Sequence, residues 1–195
     1  MSEDLAALRD ELHALLAGRA MQFGDFVLTS GRRSDYYVDG KQVTLDGRGL
    51  YLVSRLALER CRSLAVEAVG GLTLGADPIA AGIAALSGAT ERPVTAFIVR
   101  KEVKAHGTGR AIEGPALRPG ARVLLVDDTL TTGGTFLTAR DRVVAAGAVV
   151  VEALCVVDRD EGGREALDAA GIPLHALFNR TEFRARDAAV PAPHS

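Results

Sequence analysis

The sequence predicts an α/β fold: a central, mostly parallel sheet flanked by helices, with a small cap ahead of it. Three observations lead there. From residue 65 onward, near-continuous apolar runs alternate with stretches of helical periodicity, the pattern of strands buried on both faces and joined by crossover helices. The segment ends carry start and stop signals, such as Pro78 in a first helical turn and Gly147 after a last one. The first 45 residues break the alternation, so they are expected beside the sheet and not within it.

Taken in order, residues 3–17 space Leu5, Leu8, Leu12, Leu15 and Leu16 as an amphipathic helix, with Ser2 as its N-cap. FGDFVLTSGRRSDYYVDGK then reads as two short extended pieces around a Ser-Gly-Arg-Arg turn, a hairpin signal. Residues 46–61 form a second amphipathic helix. The alternation follows: strand 65–71, helix 77–88, strand 94–101, a polar loop over 102–120, and the strand RVLLVDD. Helix 133–147, strand 148–159, short helix 161–171 and strand 172–178 complete it, and the C-terminal residues read as a frayed tail. The whole chain, 1–195, is expected to be one domain: helix and hood over 1–45, α/β core over 46–180, tail over 181–195.

Composition narrows the function classes. With 23 basic and 25 acidic residues the net charge is −2, which leaves no global footprint for nucleic acid or an anionic membrane. Any anion site must be local. Cys61 and Cys155 are far apart in the chain and form no ligand cluster, so they read as small buried hydrophobes. The N-terminus carries acids where a signal peptide needs basic residues, and no apolar run reaches membrane-spanning length. A cytoplasmic location is the expectation.

In an open α/β sheet, ligands bind beyond the carboxyl ends of the strands. Four such ends are chemically unusual here: Gly70–Gly75, the cations Arg100 and Lys101, the pair Asp127–Asp128, and Asp158–Arg159. After the acid pair come Thr129, Leu130, Thr131, Thr132, Gly133, Gly134 and Thr135. Glycine lets a ligand reach the backbone, and the free N–H groups of a first helical turn attract an anion. Thr131–Thr135 therefore reads as a monophosphate cradle. Both GxxxxGK[ST] and GxGxxG are absent, which excludes the common nucleotide loops. Two adjacent carboxylates just before the cradle suit ribose hydroxyls, directly or through hydrated Mg²⁺. Taken alone, the stretch is equally well read as an ordinary capped strand-to-helix turn.

Residues 100–110, RKEVKAHGTGR, set Arg100, Lys101, Lys104, His106 and Arg110 against one acid, Glu102. Most such runs are solvated loops. This one directly follows a buried strand and contains two glycines, which suits a cationic lid over a second, more highly charged anion.

VLLVDDTLTTGGT resembles the phosphoribosyl-pyrophosphate (PRPP) motif of the type I phosphoribosyltransferases. RKEVKAHG, FVLTSGRRSDYYVD, GGLTLGADPIA and VVDRDEGG are similar to blocks of one branch, the orotate phosphoribosyltransferases, and together span about Phe23 to Gly163. The resemblance implies the type I phosphoribosyltransferase fold with an N-terminal hood, and homodimers in which the 100–110 loop crosses between subunits. It implies transfer of the 5-phosphoribosyl group from PRPP to N1 of orotate, giving orotidine 5′-phosphate and pyrophosphate in pyrimidine (UMP) biosynthesis. PRPP and orotate would be the small-molecule partners, with no nucleic acid and no membrane. Mg²⁺ would be the cofactor, held by PRPP or pyrophosphate oxygens and water without direct protein ligands.

By the same resemblance, Asp127 and Asp128 hold the ribose hydroxyls, Thr131 to Thr135 wrap the 5-phosphate, and Thr129 and Leu130 belong to the same PRPP-binding stretch. Arg100, Lys101, Lys104 and His106 engage pyrophosphate, and Lys104, His106 and Asp128 are the catalytic set. Arg159 pairs with the orotate carboxylate as a planar fork. Thr131 and the main chain of Tyr37 and Val38 line the base. The chain departs from the pattern at Thr29 and Gly75, where lysine is frequent in the family; both departures remove a cation. Rival readings are a purine or other type I transferase, disfavoured by Arg159 and the Lys104/His106 loop, and a PRPP-sensing regulator, disfavoured by the retained cations. A haloacid-dehalogenase phosphatase is disfavoured because its two aspartates need one residue between them.

Overall fold

The computed structural model describes residues 4–27, 33–102 and 110–187. Its first helix, α1 (Leu5–Leu15), is capped by Asp4, whose Oδ1 accepts from the Ala6 and Ala7 amides; Ser2 lies outside the described residues. The helix widens into a π turn over Leu16–Ala20 and leads into strands β1 (Met21–Val27) and β2 (Arg33–Val38). These pair antiparallel as a separate two-stranded sheet. A short helix α2 (Lys41–Thr44) and the long α3 (Gly47–Ser63) then enter the core.

The main sheet has six strands: β3 (Ala68–Leu72), β4 (Thr95–Val99), β5 (Ile112–Glu113), β6 (Arg122–Leu130), β7 (Val149–Asp158) and β8 (Leu174–Asn179). Their order is β5-β4-β3-β6-β7-β8, with every pairing parallel except that of the edge strand β5. Helices α4 (Ala76–Ser87), α5 (Gly134–Ala145) and α6 (Gly163–Ala169) connect the strands.

Burial on both faces explains the apolar runs. Along β6, Leu124 and Val126 join a core with α1, α3, α4 and the hood residues Tyr36 and Val38. Val123 and Leu125 join the opposite core with Phe136 and Val143 of α5. The period of two divides one continuous hydrophobic strand between two layers. Both cysteines are free and buried there, and desolvation pushes the Cys61 thiol up to about 12.

Two segments differ from the sequence expectation. Within the expected 102–120 loop, Ile112 and Glu113 pair antiparallel with β4; a two-residue edge strand leaves no periodic signal. The expected tail, 181–195, is helical at its start as α7 (Arg180–Asp187). Phe183 is buried there and stacks on His13 of α1, with ring centroids 4.6 Å apart. Arg9 bonds Glu182 at 2.6 Å across the same contact. Among the described residues, no helix is long and apolar enough to cross a membrane.

Candidate active site

Strand β6 carries its apolar residues through the sheet and emerges at its carboxyl end as Asp127 and Asp128, each only 6% exposed. The Asp128 amide donates to Asp127 Oδ1 at 3.0 Å, and the Thr129 hydroxyl lies 3.4 Å from Asp128 Oδ1. Burial, reinforced by the Asp128 charge, pushes the Asp127 carboxyl up to about 7.

The pair forms one wall of a cavity of about 590 Å³. Opposite stand the last residue of β3, Leu72, and the segment Thr73 to Gly75, which includes a cis peptide between Thr73 and Leu74. Gly75 lies directly on the carboxylates: a Cβ there would sit 2.2 Å from Asp127 Oδ1 and 2.6 Å from Asp128 Oδ1. With φ −61°, the backbone there suits any residue, so glycine is required by close approach alone. Next along the cavity come Thr131, Thr132, Gly133, Gly134 and Thr135 at the start of α5, where Gly133 has φ +84°. Amide groups there have no intrahelical acceptor and face the cavity end of the helix dipole. Lys101 and Lys41 supply the cations of the lining.

The structure thus gathers Lys101, Asp127, Asp128, Thr129 and Thr131–Thr135 in one cavity. Leu130 is core, 1% exposed, and its carbonyl accepts from the Arg159 amide at 3.0 Å. Arg100 lies outside the lining, its Nε bonded to Glu113 of the edge strand at 2.6 Å. Lys104 and His106 fall outside the described residues, as does Thr29.

Arg159 follows β7 and is 8% exposed. Its Nη2 lies 2.8 Å from Glu161 Oε1, an ion pair with poor hydrogen-bond angles, and its Nε reaches the Tyr36 hydroxyl at 3.3 Å. The same hydroxyl donates within 3.0 Å of the Arg159 carbonyl and of Glu161 Oε1. Tyr36 therefore ties the hood to this strand end, while the neighbouring Tyr37 ring is 40% exposed beside Phe26 and Val38 is buried. Asp158 is fully buried and occupied by Arg164 at 2.9 Å and the Asp160 amide at 3.1 Å, a structural role. Sequence reasoning missed Lys41, Tyr36 and Glu161. The turn signal after the hairpin marks the place of Lys41; nothing in the sequence marks Glu161 as the partner of Arg159.

Comparison with known proteins supplies the family. The Phosphoribosyl transferase domain model matches residues 43–170. An orotate phosphoribosyltransferase of Thermosynechococcus vestitus is 51% identical over 95% of this chain and 97% of its own length. The chain belongs to the orotate phosphoribosyltransferases. A second orotate phosphoribosyltransferase, from Aquifex aeolicus, is 45% identical over 90% of the chain and 97% of that protein. The crystal structure of Mycobacterium tuberculosis orotate phosphoribosyltransferase in complex with PRPP superposes with a TM-score of 0.75 at 38% identity, covering 91% of this chain and 99% of the other. Similarity across nearly the full length includes the hood, so the orotate phosphoribosyltransferase assignment does not rest on the acid pair and its cradle alone.

Proposed function

We propose that this cavity transfers the 5-phosphoribosyl group of PRPP to N1 of orotate, yielding orotidine 5′-phosphate and pyrophosphate for pyrimidine nucleotide synthesis. The observation that carries the reading is the continuous wall formed by Asp127, Asp128 and the Thr131–Thr135 turn, in a chain of this family. A ribose 5-phosphate matches it group by group. The phosphate sits against the first turn of α5, and two adjacent hydroxyls meet two adjacent carboxylates.

Pyrophosphate then falls toward residues 73–75 and Lys101, with Lys104 and His106 brought over it by the 100–110 loop. Orotate takes the opposite side, between Thr131 and the main chain of Tyr37 and Val38. Its carboxylate claims the Arg159 guanidinium, which Glu161 holds in this structure. No covalent enzyme intermediate forms: the N1–C1 bond is made as the C1–O bond to pyrophosphate breaks, through a transition state with oxocarbenium character, and the N1 proton passes to the departing pyrophosphate or to water. Lys101, Lys104 and His106 stabilise the charge that develops on the leaving group. Asp128 faces the electron-poor ribose.

Bound Mg²⁺ would neutralise pyrophosphate oxygens. Asp127 and Asp128 line the same cavity and would orient the water shell of a metal held by ligand oxygens. We further read the chain as a cytoplasmic homodimer with shared active sites, which sedimentation in the presence and absence of PRPP would test.

The deciding assay follows orotate absorbance after adding PRPP and Mg²⁺, with adenine, hypoxanthine and uracil as controls. Loss with orotate alone is expected. Consumption of adenine or hypoxanthine in its place would transfer the reading to a purine enzyme.

A further inference from the structure

Lys41 enters the cavity from the hood, a segment outside the strand ends that build the rest of the site. After β2 ends at Val38, the Asp39 amide bonds Ala20 O at 3.0 Å, which fixes the exit of the hairpin. Gly40 then packs on the acid pair so closely that a Cβ would lie 2.9 Å from Asp128 Cβ. The next residue extends its ammonium group between two carboxylates, 3.0 Å from Asp39 Oδ1 and 3.4 Å from Asp128 Oδ2. Asp39 is itself held by Gln42 Nε2 at 3.1 Å. The cation is thus anchored from behind and presented to Asp128 from the front.

We propose that Lys41 is a positioning residue for the transfer reaction, fixing the Asp128 carboxylate where the ribose hydroxyls are received. The inference rests on the functional reading above. Two adjacent buried carboxylates repel, and without a nearby cation one of them turns away or takes up a proton, losing an acceptor for a hydroxyl. Among the described residues, the other charged groups lining the cavity are Lys101, Asp127 and Asp128, and Asp39 stands behind the Lys41 ammonium. Lys101 belongs to the segment after β4, whereas Lys41 reaches Asp128 from the hood. Burial opposes the Lys41 charge, yet the Asp39 bond and the Asp128 field outweigh it and raise its pKa. The ammonium group therefore stays charged through the working range. Its arrival from the hood also makes a competent acid pair conditional on the hood being docked.

The test compares Lys41→Met, which keeps the aliphatic stem, with Lys41→Arg, which keeps the charge. PRPP affinity by calorimetry, steady-state constants and melting temperature are measured for both. In the Met variant, Kd and KM for PRPP should rise about tenfold or more, with a smaller change in kcat. The acid limb of kcat/KM for PRPP should move to higher pH. The Arg variant should recover most of both, with melting temperatures close to the parent's in each case. Unchanged PRPP affinity and pH profile in Lys41→Met, or a loss that arginine does not restore, overturns the role. Wild-type protein that neither binds PRPP nor consumes orotate overturns the functional reading and this inference together. An active wild type with an indifferent Met variant overturns the inference alone.

Discussion

The same strands end in two very different cavities. At their carboxyl ends lies the acid-lined site of about 590 Å³. At their amino ends lies a larger cavity of about 680 Å³, walled by Leu58, Cys61, Val66 and Leu117 and rimmed by Arg62, Arg92, Arg118 and Arg122. Size would favour the second and cationic charge would suggest an anion site. Three of its four arginines, however, are already engaged within the fold. Arg118 pairs with Glu67, Arg122 Nε bonds Leu64 O at 2.9 Å, and Arg62 lies 3.4 Å from Glu59. Arg62 also stands in the last turn of α3, where a cation suits the helix dipole. The smaller cavity has the opposite character: two adjacent buried carboxylates, one with its pKa raised, helix amides without acceptors, and glycine where a ligand or a carboxylate needs room. Unmet polar demand, and not volume, distinguishes the two ends.

The contrast can be broken by substitution, beginning with the largest effects. Lys104→Ala should lower turnover by about two orders of magnitude or more with the fold intact; near-normal single-turnover rates would remove the loop from the mechanism. Asp127→Asn should also depress kcat/KM for PRPP about a hundredfold while altering stability in a pH-dependent way. Because the folded pKa is raised to about 7 from an ordinary 3.8, the native state holds the extra proton between those values. The stability it contributes is complete below about pH 4 and is lost as pH rises through about 7. Relative to the parent, the melting temperature of Asp127→Asn should therefore climb over that interval in ligand-free protein. A difference that stays flat with pH would refute the buried-acid assignment.

Arg159→Ala should raise KM for orotate by about a hundredfold, the usual scale for deleting one partner of a buried charge pair, with PRPP affinity nearly unchanged. Equal losses for both substrates would show that Arg159 acts through hood docking instead. Gly75→Ala places a methyl group against Asp127 and Asp128; PRPP affinity should fall about tenfold, with overpacking costing about 1–3 kcal/mol of stability. Calorimetry decides it. At the other end of the sheet, Leu58→Ala should cost about 2–5 kcal/mol of stability, since Leu58 is 2% exposed. Steady-state constants at 25 °C should remain at parental values. A specific loss of transfer activity there would give the amino-end cavity a function it otherwise lacks.

How far the sequence anticipated this follows from where each signal resides. Strand β6 was legible because apolar residues buried on both faces leave a continuous run, and its end because two acids and a threonine-glycine turn follow without interruption. The hairpin was legible as two extended pieces about a turn. The edge pairing of Ile112 and Glu113 was not, because its partner strand lies earlier in the chain and two residues have no period. Helix α7 is polar apart from Phe183 and Ala185, so its docking onto His13 and Arg9 comes from long-range contact. Lys41 and Glu161 escaped for the same reason: each is defined by what approaches it in space. Asp4 serves as the cap because it directly precedes the first helical residue, Leu5.

Tyr36 has a consequence for how such an enzyme changes its preferences. One hydroxyl touches the Arg159 carbonyl, the Arg159 guanidinium and Glu161, so the group assigned to base recognition is also a rivet between hood and sheet. Redesigning Arg159 for an uncharged base would leave Glu161 without its cation and the Tyr36 hydroxyl with one contact fewer. A change of substrate would then demand coordinated repair at three positions, and single-step drift toward another base would be penalised through the hood before it gained any new activity.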